Sequence, residues 1–154
     1  MTQIVLPTHT NRFGTVFGGQ IASWIDICAA VAAMRHSGTL AVTASMDSLH
    51  FLHGARQGDV VTLRSQVNLV GRTSMEVGVR VESEDPVTGA RHHTASAYLT
   101  FVAVDAQGCP QPVPPLRLET DEDRRRHEKA QRRRAARLRE RELLRQRERG
   151  GSVP

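Results

Sequence analysis

An asparagine, a pair of glycines and an aspartate near the N-terminus have the types and spacing that carbonyl chemistry needs. Asn11 opens a short loop, Gly18 and Gly19 end it, and Asp26 follows seven residues after Gly19. Glycines at a helix N-terminus let a ligand approach the free backbone N–H groups closely. Those donors and the positive end of the helix dipole suit an oxyanion or a polarised carbonyl oxygen.

Asp26 is the candidate for the reactive group. It is a lone carboxylate among apolar neighbours that include Trp24, Ile25 and Ile27, and burying a carboxylate is costly unless hydrogen bonds or charges compensate. A carboxylate kept in such a place could serve as a general base or as a nucleophile. The structural alternative is a residue that is hydrogen-bonded across a dimer interface.

The spacing between Gly19 and Asp26 limits how they could act together. At 1.5 Å per residue, the two lie roughly 10 Å apart along a helix axis. One helix therefore cannot readily place both its N-terminus and this carboxylate within about 3 Å of one reacting atom. Either the two serve different steps, or a symmetric dimer brings the N-terminal loop of one subunit to Asp26 of the other.

A helix and about four strands must position these groups. Residues 19–36 are apolar nearly all round, which predicts a buried helix. Gly38 is a natural stop signal, and His36 is expected to cap the C-terminus. Residues 42–51, 60–70, 74–84 and 92–104 predict strands separated by short turns. In the first, Thr43, Ser45, Asp47, Leu49 and Phe51 are expected on one face. The sequence predicts an α+β domain with the sheet wrapped on the helix.

The same residues carry a family resemblance. Asn11-x-x-Gly14-x-x-x-Gly18-Gly19 is followed by six residues, by Asp26, and by the alanine-rich residues 29–36. Together with residues 43–51 and 71–76, this pattern resembles the hotdog-fold acyl-CoA thioesterases. It is most similar to the YciA type and the cytosolic long-chain acyl-CoA hydrolases. The resemblance covers roughly residues 4–105.

The resemblance implies a fold, an assembly and a site. The hotdog fold wraps a curled antiparallel sheet around a long central helix, and two copies form a dimer, often within a trimer of dimers. Asp26 and Asn11 match the family's catalytic aspartate and asparagine, contributed from opposite subunits, and the amides of Gly18 and Gly19 polarise the thioester oxygen. The substrate-binding segment that lines the pantetheine and nucleotide path is matched by Gly71, Arg72, Thr73 and Ser74, with Arg72 suited to a phosphate.

The implied activity is hydrolysis of acyl-CoA to a free fatty acid and coenzyme A. No metal and no cofactor are expected, because coenzyme A is part of the substrate and the product. Two alternatives remain open. One is an acyl-CoA-binding protein of the same fold without hydrolytic activity, which the presence of Asp26 and Asn11 argues against. The other is a nucleic-acid-associated protein that acts through a basic tail.

The basic charge of the chain belongs to its C-terminus. Residues 117–154 hold 14 of the 21 basic and 8 of the 16 acidic residues, so this segment carries +6 and residues 1–116 carry −1. Prolines between residues 110 and 115 separate the two parts. We therefore expect a thioesterase domain over 1–116 and an Arg/Glu-rich tail over 117–154, helical from about Asp121 or partly disordered. The tail has no Tyr, Phe or Trp for base stacking, and nucleic acid is not an expected partner.

Composition excludes several other classes of protein. The sequence has no run of 18 apolar residues and no signal-peptide pattern at its start. Its two cysteines, Cys28 and Cys109, are far apart, and its histidines lack the spacing of metal ligands. A cytoplasmic, reduced protein without a metal site is expected.

Overall fold

The secondary structure follows the predicted order, with one additional strand. The structure is a computed structural model that describes the backbone of residues 1–150 and the side chains of residues 1–146. Its elements are β1 (Thr2–Ile4), a short 3₁₀ helix (Pro7–His9), α1 (Gly18–Ser37), β2 (Leu40–Phe51), β3 (Val60–Val70), β4 (Ser74–Glu84), β5 (Arg91–Val104) and α2 (Asp121–Gly150). Two compact units result, Met1–Leu116 and Arg117–Pro154. No helix among the described residues is long and apolar enough to cross a membrane.

The five strands form one antiparallel sheet in the order β1-β3-β4-β5-β2. The bounds of β3 and β4 agree with the sequence prediction, whereas β2 and β5 begin slightly earlier than predicted. β1 was not predicted; it pairs through Ile4 with Val60 at one edge of the sheet. The long strand β2 forms the opposite edge, so its outer side has no strand neighbour among the residues that the structure describes.

Helix α1 packs one side against this sheet. Ile21, Ile25 and Ala29 are buried together with Leu63 and other side chains of the sheet, and Gly38 ends the helix with a φ of 70°, as predicted. The prediction of burial all round is wrong. An uncovered stripe, defined as Ile27, Val31 and Met34, is 52%, 37% and 36% exposed. These residues lie one turn apart on the side of α1 away from the sheet.

Strand β2 does not alternate as the sequence predicted. Thr43 pairs with Phe101 and Ser45 with Thr100, so Ala44 is an extra residue in a bulge. A second bulge adds Asp47 between Met46 and Ser48. Because opposite residues of an antiparallel pair share a face, the bulges change which side chains face the core. The one-face prediction is correct for Thr43, Leu49 and Phe51, and it is wrong for Ser45 and Asp47.

A proline-rich segment after β5 ties two parts of the first unit together. The amide of Val113 donates to the carbonyl of Arg72, in the turn between β3 and β4. The His36 imidazole Nε2 lies 3.1 Å from the carbonyl oxygen of Pro114. The prediction that His36 caps its own helix is therefore wrong, because the ring contacts this distant segment. These contacts place the turn that contains Arg72 at the C-terminal end of α1.

The tail contains the helix that the sequence predicts. The amide of Asp123 donates to Thr120 Oγ1 (3.1 Å), and the amide of Thr120 donates to Asp123 Oδ2 (3.0 Å), which is a reciprocal N-terminal cap. Arginines of the first turns pair with Asp121 and Glu122.

Candidate active site

The carboxylate of Asp26 is held by a hydroxyl from the sheet. Thr43 Oγ1 donates a 2.7 Å hydrogen bond to Asp26 Oδ1. Thr43 faces α1 because it stands opposite the buried Phe101 on the neighbouring strand. No other described residue donates to Asp26, which leaves Oδ2 available to a water or a substrate atom. Asp26 is half-buried and directly precedes Ile27 of the uncovered stripe.

Asn11 has a defined orientation in the loop before α1. Its Oδ1 accepts from the amide of Phe13 (2.9 Å) and from the Oγ1 of Thr15 (3.2 Å), and the amide of Thr15 lies at 3.4 Å. These three donors require an oxygen, so the Asn11 Nδ2 group points elsewhere and has no partner among the described residues. Asn11 therefore offers a hydrogen-bond donor to a ligand.

The first turn of α1 presents two free amides. The carbonyl of Phe17 accepts from the amides of Gln20 and Ile21. No described residue accepts from the amides of Gly18 and Gly19. The helix dipole adds a partial positive charge at the same end. This geometry suits a carbonyl oxygen that becomes more negative during a reaction.

The predicted substrate-binding turn lies at the other end of the helix. The amide of Gly71 donates to the carbonyl of Ser74 (2.7 Å), which closes the turn that contains Arg72 and Thr73. The guanidinium of Arg72 is exposed and has no partner among the described residues. Helix α1 has 20 residues and is about 30 Å long. Within one chain the structure therefore joins Asp26 to Thr43, but it separates this turn from the loop that contains Asn11.

Two further groups lie outside this site. The Asp47 carboxylate accepts from Ser45 Oγ and Thr100 Oγ1, both at 2.6 Å, on the opposite face of the sheet from Thr43. The rings of His53 and His92 are stacked with their centroids 4.0 Å apart. No set of three or more His, Cys, Asp or Glu side chains in the described part of the chain is arranged to hold a metal ion.

Thr43 is the site residue that the sequence analysis missed. It belongs to the segment 43–51 that carries part of the family resemblance, yet nothing in its type or position indicates a partner on α1. A threonine in a strand is ordinary. Only the packing of β2 against the helix identifies it.

Comparison with known proteins identifies a family. The family model described as the thioesterase superfamily matches residues 13–90. YkhA of Bacillus subtilis, described as an uncharacterized acyl-CoA thioester hydrolase, is 48% identical over 122 residues, which are 79% of this chain and 71% of the relative. Two mouse thioesterases are much longer, and the chain spans 17% and 25% of their lengths.

Solved structures agree with this assignment. A hexameric acyl-CoA thioesterase has a TM-score of 0.88 and 45% identity, with 91% of this chain and 90% of that chain covered. An acyl-CoA hydrolase from Staphylococcus aureus, solved with butyryl coenzyme A and coenzyme A, has a TM-score of 0.87 and 36% identity, with coverages of 95% and 89%.

Three variants of the Staphylococcus aureus hydrolase have also been solved, in which an asparagine, an aspartate and a threonine are replaced by alanine. In that protein the asparagine precedes the aspartate by 15 positions. The aspartate precedes the threonine by 17 positions. Asn11, Asp26 and Thr43 have the same types and the same spacing.

Proposed function

The chain belongs to the thioesterase superfamily, and we infer from this membership and from its site that it hydrolyses acyl-CoA thioesters. The products are a carboxylic acid and free coenzyme A. The observation that carries the proposal is Asp26, whose Oδ1 is fixed by Thr43 while Oδ2 remains open. The alternative of a binding protein without activity would not require a carboxylate held in this way.

The reaction replaces the carbon–sulfur bond of the thioester by a carbon–oxygen bond. Asp26 takes a proton from water as the water adds to the carbonyl carbon, or it attacks that carbon itself and water then releases it. The amides of Gly18 and Gly19, with Nδ2 of Asn11, donate to the carbonyl oxygen as it gains negative charge. Coenzyme A leaves as a thiolate, so the proposed reaction requires no cofactor.

We propose that one active site uses two copies of the chain. Asp26 lies beside the apolar uncovered stripe, and the neighbouring strand β2 is an unpaired sheet edge. Both features favour contact with a second copy. Asp26 also lies roughly 10 Å along α1 from the free amides of its own chain. A homodimer that pairs Asn11, Gly18 and Gly19 of one chain with Asp26 and Thr43 of the other resolves this offset, and three such dimers would form a hexamer.

Subunit exchange tests the shared site. Asn11→Ala and Asp26→Ala proteins are each expected to be inactive. Mixed dimers should regain one intact site, made from Asp26 of the first protein and Asn11 of the second. Mass measurement on differently tagged subunits verifies the exchange. If mixed dimers form and no activity returns, the two residues act within one chain.

The turn formed by Gly71, Arg72, Thr73 and Ser74 is proposed to bind the coenzyme A moiety. The exposed Arg72 guanidinium can form two parallel hydrogen bonds to a phosphate group. The turn lies at the C-terminal end of α1, about 15 Å along the axis from Asp26. The pantetheine arm separates the thioester from the phosphates in the substrate, which is consistent with such a separation in the protein.

The free thiol of the exposed Cys109 is consistent with a location in the reducing cytoplasm.

Free-thiol release from acyl-CoA esters of 2 to 18 carbons tests the activity. The wild-type protein is expected to release coenzyme A from part of this series. Asp26→Asn should reduce turnover at least about 10²-fold, because it removes the base or nucleophile. Asp47→Asn is the matched control, since that carboxylate lies on the other face of the sheet. No release from any ester, or equal effects of the two substitutions, would contradict the assignment.

A further inference from the structure

Aromatic rings cover both glycines at the start of α1. A Cβ atom placed on Gly19 would overlap Phe17 Cε1, and one placed on Gly18 would lie 3.4 Å from Phe51 Cζ. A side chain at Gly19 would therefore displace the Phe17 ring, and one at Gly18 would crowd the Phe51 ring. The glycines allow the two rings to contact the same backbone whose amides are free.

Both rings are unusually open to solvent. Phe17 is 60% exposed and Phe51 is 54% exposed. By contrast, Phe101 in strand β5 is fully buried. Exposed apolar surface next to polar donors is typical of a site that binds an amphipathic ligand. An acyl-CoA has this character at the thioester, where a polar carbonyl is bonded directly to an alkyl chain.

We propose that Phe17 and Phe51 form the first part of the acyl-chain subsite and determine how strongly the carbons next to the carbonyl contribute to specificity. This inference rests on the proposed thioesterase function. A carbonyl oxygen about 2.9 Å from the amides of Gly18 and Gly19 places its carbon at the same helix turn. The carbons that follow are each one bond further on, so they must pass the rings that lie on these glycines.

Phe13 supplies the contrast within the same loop. It is 81% exposed, and its ring lies under the guanidinium of Arg12 at 5.8 Å instead of on the glycine pair. Phe13 contributes to the loop through its backbone amide, which donates to Asn11. Substitution of its side chain therefore removes a similar amount of exposed apolar surface without touching the proposed subsite.

The test measures kcat/KM against chain length. Acetyl-, butyryl-, hexanoyl- and octanoyl-CoA are compared for the wild type and for Phe17→Ala, Phe51→Ala and Phe13→Ala. A fully buried methylene raises kcat/KM by up to about four-fold. The ratio of kcat/KM per added methylene between acetyl- and hexanoyl-CoA should fall towards one in Phe17→Ala and Phe51→Ala. It should keep its wild-type value in Phe13→Ala.

Binding measurements separate this inference from the proposed function. The same acyl series is titrated by calorimetry into the Asp26→Asn protein with and without Phe51→Ala. If the wild type hydrolyses nothing but the affinity gain per methylene disappears with Phe51→Ala, the function fails and the subsite stands. An unchanged chain-length dependence in both assays overturns the subsite. A change in oligomeric mass without a change in this dependence assigns the rings to a subunit interface, which also overturns it.

Discussion

Replacement of Thr43 by valine tests the central contact of the site. Valine has nearly the shape of threonine but lacks the hydroxyl that donates to Asp26 Oδ1 at 2.7 Å. Without this donor the carboxylate is free to rotate, and a charge-assisted hydrogen bond is lost. Hydrogen bonds to charged groups contribute about 1.5–3 kcal/mol. If that contribution is made fully in the transition state, kcat/KM should fall about 10- to 150-fold.

The assay compares two threonine-to-valine substitutions that break the same kind of bond. Thr100 Oγ1 donates to Asp47 Oδ2 at 2.6 Å on the opposite face of the sheet, so Thr100→Val is the matched control. We expect it to leave kcat/KM for an acyl-CoA within about two-fold and to lower the free energy of unfolding. Thr43→Ser retains the hydroxyl and should retain most of the activity.

The reasoning would be refuted by a Thr43→Val protein that is folded, has the oligomeric mass of the wild type and keeps kcat/KM within about three-fold of it. It would also be refuted if Thr100→Val lowered activity as much as Thr43→Val. In that case the loss would come from β2 as a whole and not from the hydroxyl at Asp26. Chemical denaturation of each variant provides the stability needed for this comparison.

Three further predictions use other parts of the chain. Asn11→Asp keeps the oxygen that accepts from Thr15 but lacks the Nδ2 donor. In the thiol-release assay kcat should therefore fall at least about tenfold while thermal stability is retained. Full activity of this variant would exclude the donor role of Asn11. Deletion of residues 117–154 should leave kcat within a few-fold and raise KM for acyl-CoA only at low salt. The reason is that the attraction of the +6 tail for phosphates is screened over about 8–10 Å at physiological salt. Loss of kcat in a truncated protein that keeps the subunit number of the full chain would show that the tail completes the site. The hydrogen bond from Arg80 and the charges of Arg80 and Arg64 lower the pKa of Glu82 below its ordinary value of 4.5, so the stabilisation that Glu82 provides is present above that value and is lost as the pH falls through the lowered pKa. Because the ion pairs of Glu82 with these arginines are partly exposed, Glu82→Gln should lower the free energy of unfolding by under about 1 kcal/mol near neutral pH and by nothing in strong acid. Chemical denaturation at several pH values measures this difference, and a constant loss at all pH values would be the contrary result.

Most of the fold could be read from local patterns. The strands β3 and β4 are runs of apolar and polar residues bounded by glycine and proline turns, and such patterns are encoded within each segment. β1 has three residues, too few for a periodic pattern, and it exists because its backbone pairs with β3 about 60 positions away. Its formation depends on a distant partner, which no local pattern reports.

The error in β2 has a related cause. A bulge at Ala44 or Asp47 is defined by two residues standing opposite one on β5. The alternation of side chains in β2 is regular in the sequence, and only the pairing inserts the extra residues. This matters for chemistry because the second carboxylate, Asp47, is thereby placed on the opposite face from Thr43. A reading with strict alternation would have placed Asp47 and Thr43 together.

In the candidate site, too, the sequence indicates some of the residues and only the fold indicates the others. Asp26 could be found from the sequence because a carboxylate inside an apolar helix conflicts with its surroundings, and such conflicts mark functional positions. Thr43 conflicts with nothing in a strand, so it carries no such signal. For Asn11 the sequence predicted a place in the site but not whether its side chain donates or accepts a hydrogen bond there. The loop determines this role, because three donors from Phe13 and Thr15 occupy the Asn11 oxygen and leave its nitrogen to donate to a ligand. In the proposed mechanism the loop therefore presents a donor that can stabilise negative charge on a carbonyl oxygen. Asp26 is then the group that takes a proton from water or attacks the carbonyl carbon.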